Sequence, residues 1–342
     1  MANQIIPDTA EKSRMNGFRE WKFKALTPIW TGDANRQNNR LIPTGIMGSI
    51  RWWFEVLIRG LGGSACDPTV KEARCPSSNV DDPFGFGHHC VACELFGCTG
   101  WARKFRLQVV DGEGHIIRNQ IQAGDLFTLR FIPLRPINPE EWCLLDITLR
   151  LIAEYGAIGG KTVYKPTDER ARENCPYHWD YGLIKLIEAP ALQRLSRDRL
   201  ESYVRDWSRW RNVDHGDFAW VSLENFWCVK GRYLARQSKN ASTFNRVIGR
   251  KELKNRSHLL EHSENSGLTE EQARWLAGGR GESKKVFSFK NPEEARRTFG
   301  FVRPGMISHR EMKNRLKEVW EGFKEEEFKA GEEILNELLS KA

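Results

Sequence analysis

The run Thr44-Gly-Ile-Met-Gly-Ser-Ile-Arg-Trp-Trp-Phe-Glu-Val-Leu-Ile-Arg-Gly-Leu61 anchors the reading of the N-terminal half. Ile46, Ile50, Trp53, Leu57 and Leu61 recur at spacings of four, three, four and four, so they share one face of a helix. Gly60 and Gly62-Gly63 end it. Arg51 and Trp52 fall off the apolar stripe. Trp52 and Trp53, being adjacent, point about 100° apart. Arg51 either pairs with Glu55 one turn on or faces outward.

Working outward, Trp21, Phe23 and Ala25 alternate with Glu20, Lys22 and Lys24, the pattern of a half-buried strand. Phe105, Leu107 and Val109 predict a second strand, and Phe127, Leu129 and Phe131 a third. Asn138-Pro-Glu-Glu141 is a helix start, with a cap, a proline suited to the first turn and a capping-box glutamate. Leu144, Ile147 and Leu151 form its buried stripe, and Gly156 and Gly159-Gly160 close it. Strand, helix, strand, strand, helix is a ferredoxin-like βαββαβ series with its last strand unassigned. The stretch from Ser64 to Gly100, rich in Cys, Gly, Pro, Asp and Ser, is an insertion of loops. The expected organisation is α+β. A first ferredoxin-like domain spans 1–160 and a second α+β domain spans 161–342. In the second, a helix near 192–210, a strand at 220–229, a helix opened by Thr269-x-x-Gln272, a short strand at 286–290 and a final helix carrying Met312, Leu316, Val319 and Phe323 are expected. No short repeat is visible.

The chain has 342 residues and a formal net charge of +8, which suits polyanionic partners. From Lys230 to Arg256 nine basic residues accompany one acid, Glu252, whereas the tail after Glu311 is acidic. No window approaches about 18 uninterrupted apolar residues. The best stretch, Leu144–Ile158, is broken by Asp146, Arg150 and Glu154. The N-terminus lacks a basic start and an apolar centre. The expectation is a soluble cytoplasmic protein with no membrane partner. Its eight cysteines are then reduced thiols, some buried and some metal-bound, rather than a disulfide framework.

Two segments, Leu41–Trp53 and Cys93–Arg106, mix glycine, arginine and tryptophan. Glycine lets backbone N–H groups approach a phosphate, arginine offers a charged fork, and tryptophan a face for a base. On this chemistry Arg51, Arg103, Lys104, Arg106 and Lys161 are candidate phosphate contacts. Gly45, Gly48, Ser49, Gly159 and Gly160 would admit the backbone, and Trp52 or Trp101 would stack a base. Gly160-Lys161-Thr162 is not a nucleotide-hydrolysing loop. The position needing glycine is Tyr155, and the loop closes a helix instead of opening one. His88-His89-Cys90-x-x-Cys93, with Cys98, Cys75 and Cys66 nearby, has zinc-ligand chemistry, and His88, Cys90, Cys93 and Cys98 are the candidate metal set. The alternative is a loop of reduced cysteines. No histidine is singled out for catalysis by spacing, and His115, His178 and His215 are the ones a distant assembly would draw on.

The segments Leu26-Thr-Pro-Ile-Trp-Thr-Gly-Asp33, Pro43–Trp53 and Leu95-Phe-Gly-Cys-Thr-Gly-Trp101 resemble the RAMP superfamily of CRISPR proteins. In their order they resemble the family forming the first subunit of type III-B (Cmr) RNA-silencing complexes. Gly156-Ala-Ile-Gly-Gly-Lys161 is similar to the superfamily's glycine-rich loop, but continues Thr-Val-Tyr-Lys-Pro without further glycines. The resemblance implies two ferredoxin-like, RNA-recognition-type domains. It also implies a non-catalytic role binding single-stranded CRISPR or target RNA beside other Cmr subunits, which do the cutting. The alternatives are a metal-independent CRISPR RNA endoribonuclease of the same superfamily, and a scaffold whose basic surface docks an acidic neighbour.

Overall fold

The computed structural model describes residues 17–32, 37–160, 165–213, 216–238, 240–250, 267–279 and 283–341. Strand β1 (Arg19–Ala25) buries Trp21, Phe23 and Ala25, as the alternation requires. The Trp21 indole donates to the buried Asp146 carboxylate at 2.7 Å. Helix α1 (Pro43–Gly60) carries proline in its first turn and no acidic residue there. Beyond Trp53 it is buried on every side, Glu55 and Arg59 included. Within the insertion lies one short helix, α2 (Val91–Phe96). Then follow β2 (Phe105–Val110), β3 (Leu126–Pro133) and α3 (Pro139–Tyr155), which opens on the Asn138–Glu141 capping box. The first sheet is completed by β4 (Ile184–Glu188), so it runs past the boundary expected at residue 160. Its order is β2-β3-β1-β4, every neighbour antiparallel. Only Ile184 of β4 is fully buried, which is why no alternation marks this edge strand.

The second half begins with α4 (Arg197–Val204), shorter than the helix expected near 192–210. Strand β5 (Phe226–Lys230) leads to a small hairpin, β6 (Arg236–Ser238) and β7 (Ala241–Ser242), then α5 (Thr243–Val247). Helix α6 (Glu270–Ala277) starts at the Thr269–Gln272 capping box. Next come β8 (Val286–Phe289), β9 (Arg297–Phe301), α7 (His309–Lys317), β10 (Phe328–Ala330) and α8 (Gly331–Lys341). Helix α7 buries Met312 and Leu316 but stops before Val319 and Phe323, which lie in the turn that follows. Arg232 holds that turn by donating to the carbonyls of Glu321 and Gly322. The C-terminal helix is therefore α8.

The second sheet is ordered β10-β5-β9-β8, again antiparallel throughout. Counting β5, β8, β9 and β10 as first to fourth strands, the order is fourth, first, third, second. Read from β4, the first sheet has the same order. The two halves thus repeat one topology that no sequence repeat announces. They also share a core. The Trp53 ring meets Phe226 and Phe299 edge-on at 5.6 and 5.8 Å. Arg297 of β9 donates to the carbonyls of Ala153 (3.0 Å) and Gly156 (3.3 Å) at the end of α3. Among the described residues no helix is long and apolar enough to cross a membrane.

Candidate nucleic-acid interface

The glycine-bearing segments meet in space. The loop after α3 runs alongside the first turns of α1, where the Gly159 N–H donates to the Ser49 hydroxyl at 3.0 Å and the Gly160 N–H to the Trp30 carbonyl at 2.8 Å. Gly159 has φ +112°, and a Cβ there would sit 2.6 Å from the Trp30 carbonyl oxygen. A Cβ on Gly156 would strike the Trp53 ring at 2.5 Å. These glycines therefore serve close packing of loop on helix, and the N–H groups of Gly159 and Gly160 are already engaged inside the chain. Gly48 differs: it is exposed, and a Cβ added there would meet nothing within 4 Å. Gly45 lies between these cases, against Thr31 at 3.3 Å.

Several residues expected at phosphates have partners inside the chain. Arg51 donates to the Glu55 carboxylate (2.8 Å), the Gly97 carbonyl (2.8 Å) and the Cys93 sulfur (3.1 Å). Lys104, 4% exposed, is clamped between Glu94 (2.6 Å) and Glu141 (2.8 Å). The Trp101 indole donates to Glu94 at 3.0 Å, and its ring lies against His89 (4.5 Å between centroids) and under the Arg135 guanidinium (4.4 Å). Arg103 is half-buried and reaches the Met47 sulfur at 3.6 Å, while Arg106 is exposed on β2. Lys161 lies outside the described residues, as do Lys239 and residues 251–256 of the basic segment. Within the described part of that segment, Lys230, Arg232 and Arg236 pair with Glu154, Glu327 and Glu169.

Ser49, Trp52 and Gly159 converge on one cleft of about 400 Å³ between the two halves. Its far wall is Phe218, Trp220, Phe287 and Phe301, with Lys284 at the side. Trp52 stands edge-on to Phe301 at 5.6 Å. Burial, reinforced by the charge of Arg250, lowers the Lys284 ammonium to about 8. Sequence reasoning does not single out the second-half residues. Their one local signal is the adjacency of basic and aromatic residues in Lys284-Lys285-Val-Phe287. A second cleft, about 510 Å³, is lined by Thr27, His178, Trp179, Asp180 and Lys290.

The cysteines also gather, in a different set from the one expected. Cys66, Cys75, Cys90 and Cys93 are all buried, with their sulfurs within 4.8 Å of one another. Cys98 and His88 are not members of this group. The His88 ring nitrogen faces that of His89 at 3.0 Å, and His89 in turn meets Glu94 at 2.7 Å.

No curated protein sequence matches the chain. Among solved structures, Cmr1 from Pyrococcus furiosus is 12% identical, covering 95% of this chain and 96% of that one, with a TM-score of 0.38. A chain of the type III-B Cmr-beta complex bound to cognate target RNA is 10% identical over 94% of this chain and 99% of its own, with a TM-score of 0.44. A chain of the Csm3–Csm4 subcomplex of the type III-A CRISPR-Cas interference complex is 16% identical over 55% of this chain and 93% of its own, with a TM-score of 0.26. The family model of the RAMP superfamily matches residues 22–164, which hold the first sheet's β1 to β3, helix α1 and the glycine loop, so this part of the chain is similar to that superfamily.

Proposed function

We propose that this chain is a non-catalytic RNA-binding subunit of a type III-B CRISPR effector complex. In this reading it holds single-stranded CRISPR or target RNA by backbone and base face beside other Cmr subunits. Each half is taken as a ferredoxin-like unit, on the strand order that both sheets share. The observation that carries the proposal is the convergence of Ser49 and Trp52 from α1, Gly159 from the glycine loop and Lys284 from the second half on one aromatic-walled cleft. A base stacks on aromatic walls without regard to its identity, and a flanking ammonium suits the phosphate that follows. Exposed Arg106 offers a further phosphate contact on the first half, and the bare surface at Gly48 leaves room for a strand to approach α1 closely.

The test is fluorescence anisotropy of the full chain with labelled single-stranded RNA, comparing the parent with Trp52→Ala and Lys284→Ala. Stacking of one base is worth about 1–3 kcal/mol, so Trp52→Ala is expected to weaken binding roughly 5- to 150-fold. Folded variants that bind as the parent does would remove the cleft from the interface.

The second cleft supports the endoribonuclease alternative, because His178, Asp180 and Lys290 line it together and could divide the acid and base roles.

A further inference from the structure

We propose that Cys66, Cys75, Cys90 and Cys93 hold one structural zinc ion. The ion ties the loop that follows helix α1 to the start of helix α2. Tetrahedral zinc with Zn–S bonds of about 2.3 Å sets its sulfurs about 3.8 Å apart. Here Cys66 lies 3.9 Å from Cys90 and 3.5 Å from Cys93, sulfur to sulfur, and no pair in the group exceeds 4.8 Å. The sulfurs therefore already outline a tetrahedron of the right edge. They are too far apart for disulfides, which need about 2.05 Å. They are also too close together to encircle a multi-iron cluster.

The surroundings match a thiolate set. The Cys75 N–H points at the Cys66 sulfur and the Cys90 N–H at the Cys75 sulfur, both at 3.3 Å. Arg51 donates to the Cys93 sulfur at 3.1 Å, and Arg211 reaches the Cys75 sulfur at 4.0 Å. Arg59 donates to the Cys66 carbonyl at 2.7 Å. Four thiolates around a divalent cation leave a double negative charge in a buried place. Arg51, Arg59 and Arg211 stand close enough to offset that charge, alongside the buried carboxylates of Glu55 and Asp67.

The ligands come from two places in the insertion. Cys90 caps α2 and Cys93 lies in its first turn, so the Cys-x-x-Cys pair is set by one helix start. Cys66 and Cys75 follow the end of α1 on a loop with no periodic structure of its own. A metal gives that loop a reason to fold where few apolar residues are available.

The test is elemental analysis of the full chain purified without chelator, together with the visible spectrum after replacement by cobalt(II). About one zinc per chain is expected, and cobalt should give the intense ligand-field bands of a tetrahedral tetrathiolate. Cys98→Ser and His88→Ala should leave both readouts unchanged. Cys75→Ser should lose the tetrathiolate spectrum, and if it fails to fold, the cobalt spectrum of the parent still decides the ligand set. Iron in place of zinc, less than a tenth of an equivalent of zinc after supplemented growth, a cobalt spectrum of mixed nitrogen and sulfur ligation, or loss of metal in His88→Ala would each overturn the proposal.

Discussion

The Arg51 guanidinium bonds the Cys93 sulfur at 3.1 Å, and so joins the glycine-bearing face of α1 to the cysteine group. The same side chain reaches Glu55, whose carboxyl burial pushes up and Arg51 and Arg59 pull down, with burial prevailing. An arginine that lies off an apolar stripe is usually solvated. This one is held because the insertion folds back over it.

Arg51→Ala is therefore expected to destabilise the fold by roughly 2–4 kcal/mol, since it removes three hydrogen bonds and leaves a buried carboxylate without its partner. The sequence alone gives at most about 0.5 kcal/mol, the value for a surface truncation. Trp53→Ala, which loses a buried ring and its bond to the Ala157 carbonyl, should cost about 3–5 kcal/mol. Urea melts of both variants check the pair. An Arg51→Ala midpoint within error of the parent would show that its contacts are idle.

The glycines separate by substitution. Gly159→Ala should cost about 2 kcal/mol or more, because a left-handed backbone gains a Cβ that collides with the Trp30 carbonyl. Gly48→Ala should gain about 0.5–1 kcal/mol, since the position is helical and open. If RNA approaches the backbone there, the stabilised Gly48→Ala chain should bind RNA less tightly. Thermal melts and anisotropy on the same samples give both numbers. A Gly159→Ala chain as stable as the parent would contradict the close packing of loop on helix.

The contrast between Arg51 and Gly48 shows what the sequence could reveal. Both belong to the same run, and its period correctly places the helix and its buried stripe. Period says nothing of what a later insertion lays across the other face, so Arg51, Lys104 and Trp101 read as ligand-facing although each has partners inside the chain. Helices α1, α3 and α6 are legible because their stripes or caps are local. Strands β4 and β10 are not, being an edge strand with one fully buried residue and a segment of three. Strand β9 escapes for the opposite reason: all five of its residues are buried, Arg297 among them, so nothing alternates. The Cys90–Cys93 pair is local and legible. Its partners Cys66 and Cys75 are chosen by the path of the loop.

Asp180 gives a pH dependence of known sign. Burial raises its carboxyl to about 7, against the N–H groups of Asn291 and Lys290 and the Lys290 charge. The folded chain thus binds a proton more tightly than the unfolded one, whose carboxyl titrates near 4. This contribution is present in full below about pH 4 and is lost as pH rises through about 7. Asp180→Asn should flatten the fall in stability between pH 5 and about 8 relative to the parent. Melting temperatures of the two chains across that range test it, and parallel curves would mean that Asp180 is ionised throughout.

RNA affinity should fall steeply with salt, since released counterions contribute a slope near −0.7 in log K against log salt for each phosphate neutralised. Arg106→Ala should reduce that slope by about one contact while leaving the melt unchanged. Binding that is insensitive to salt would assign the affinity to stacking alone.

The chain alone should not cut RNA. Cleavage without a metal needs a base to take the 2′-hydroxyl proton and an acid to protonate the departing 5′-oxygen, both within hydrogen-bond reach of one phosphodiester. The aromatic cleft that gathers the RNA candidates offers an ammonium and a hydroxyl, with the hydroxyl of Ser49 already accepting from Gly159. The groups suited to proton transfer lie in the other cleft, where the Nδ1 of His178 sits 2.7 Å from the Lys165 carbonyl and Asp180 accepts two backbone N–H bonds. A histidine held this way is oriented, and a carboxyl near 7 is poised to donate, so this is where a cutting activity would arise. Long incubation of the purified chain with guide-like and target-like RNA, with and without magnesium or manganese, should leave the RNA intact. A defined product that vanishes in His178→Ala but persists in His115→Ala would replace the binding-subunit reading with the endoribonuclease one, and would place its chemistry at His178 and Asp180.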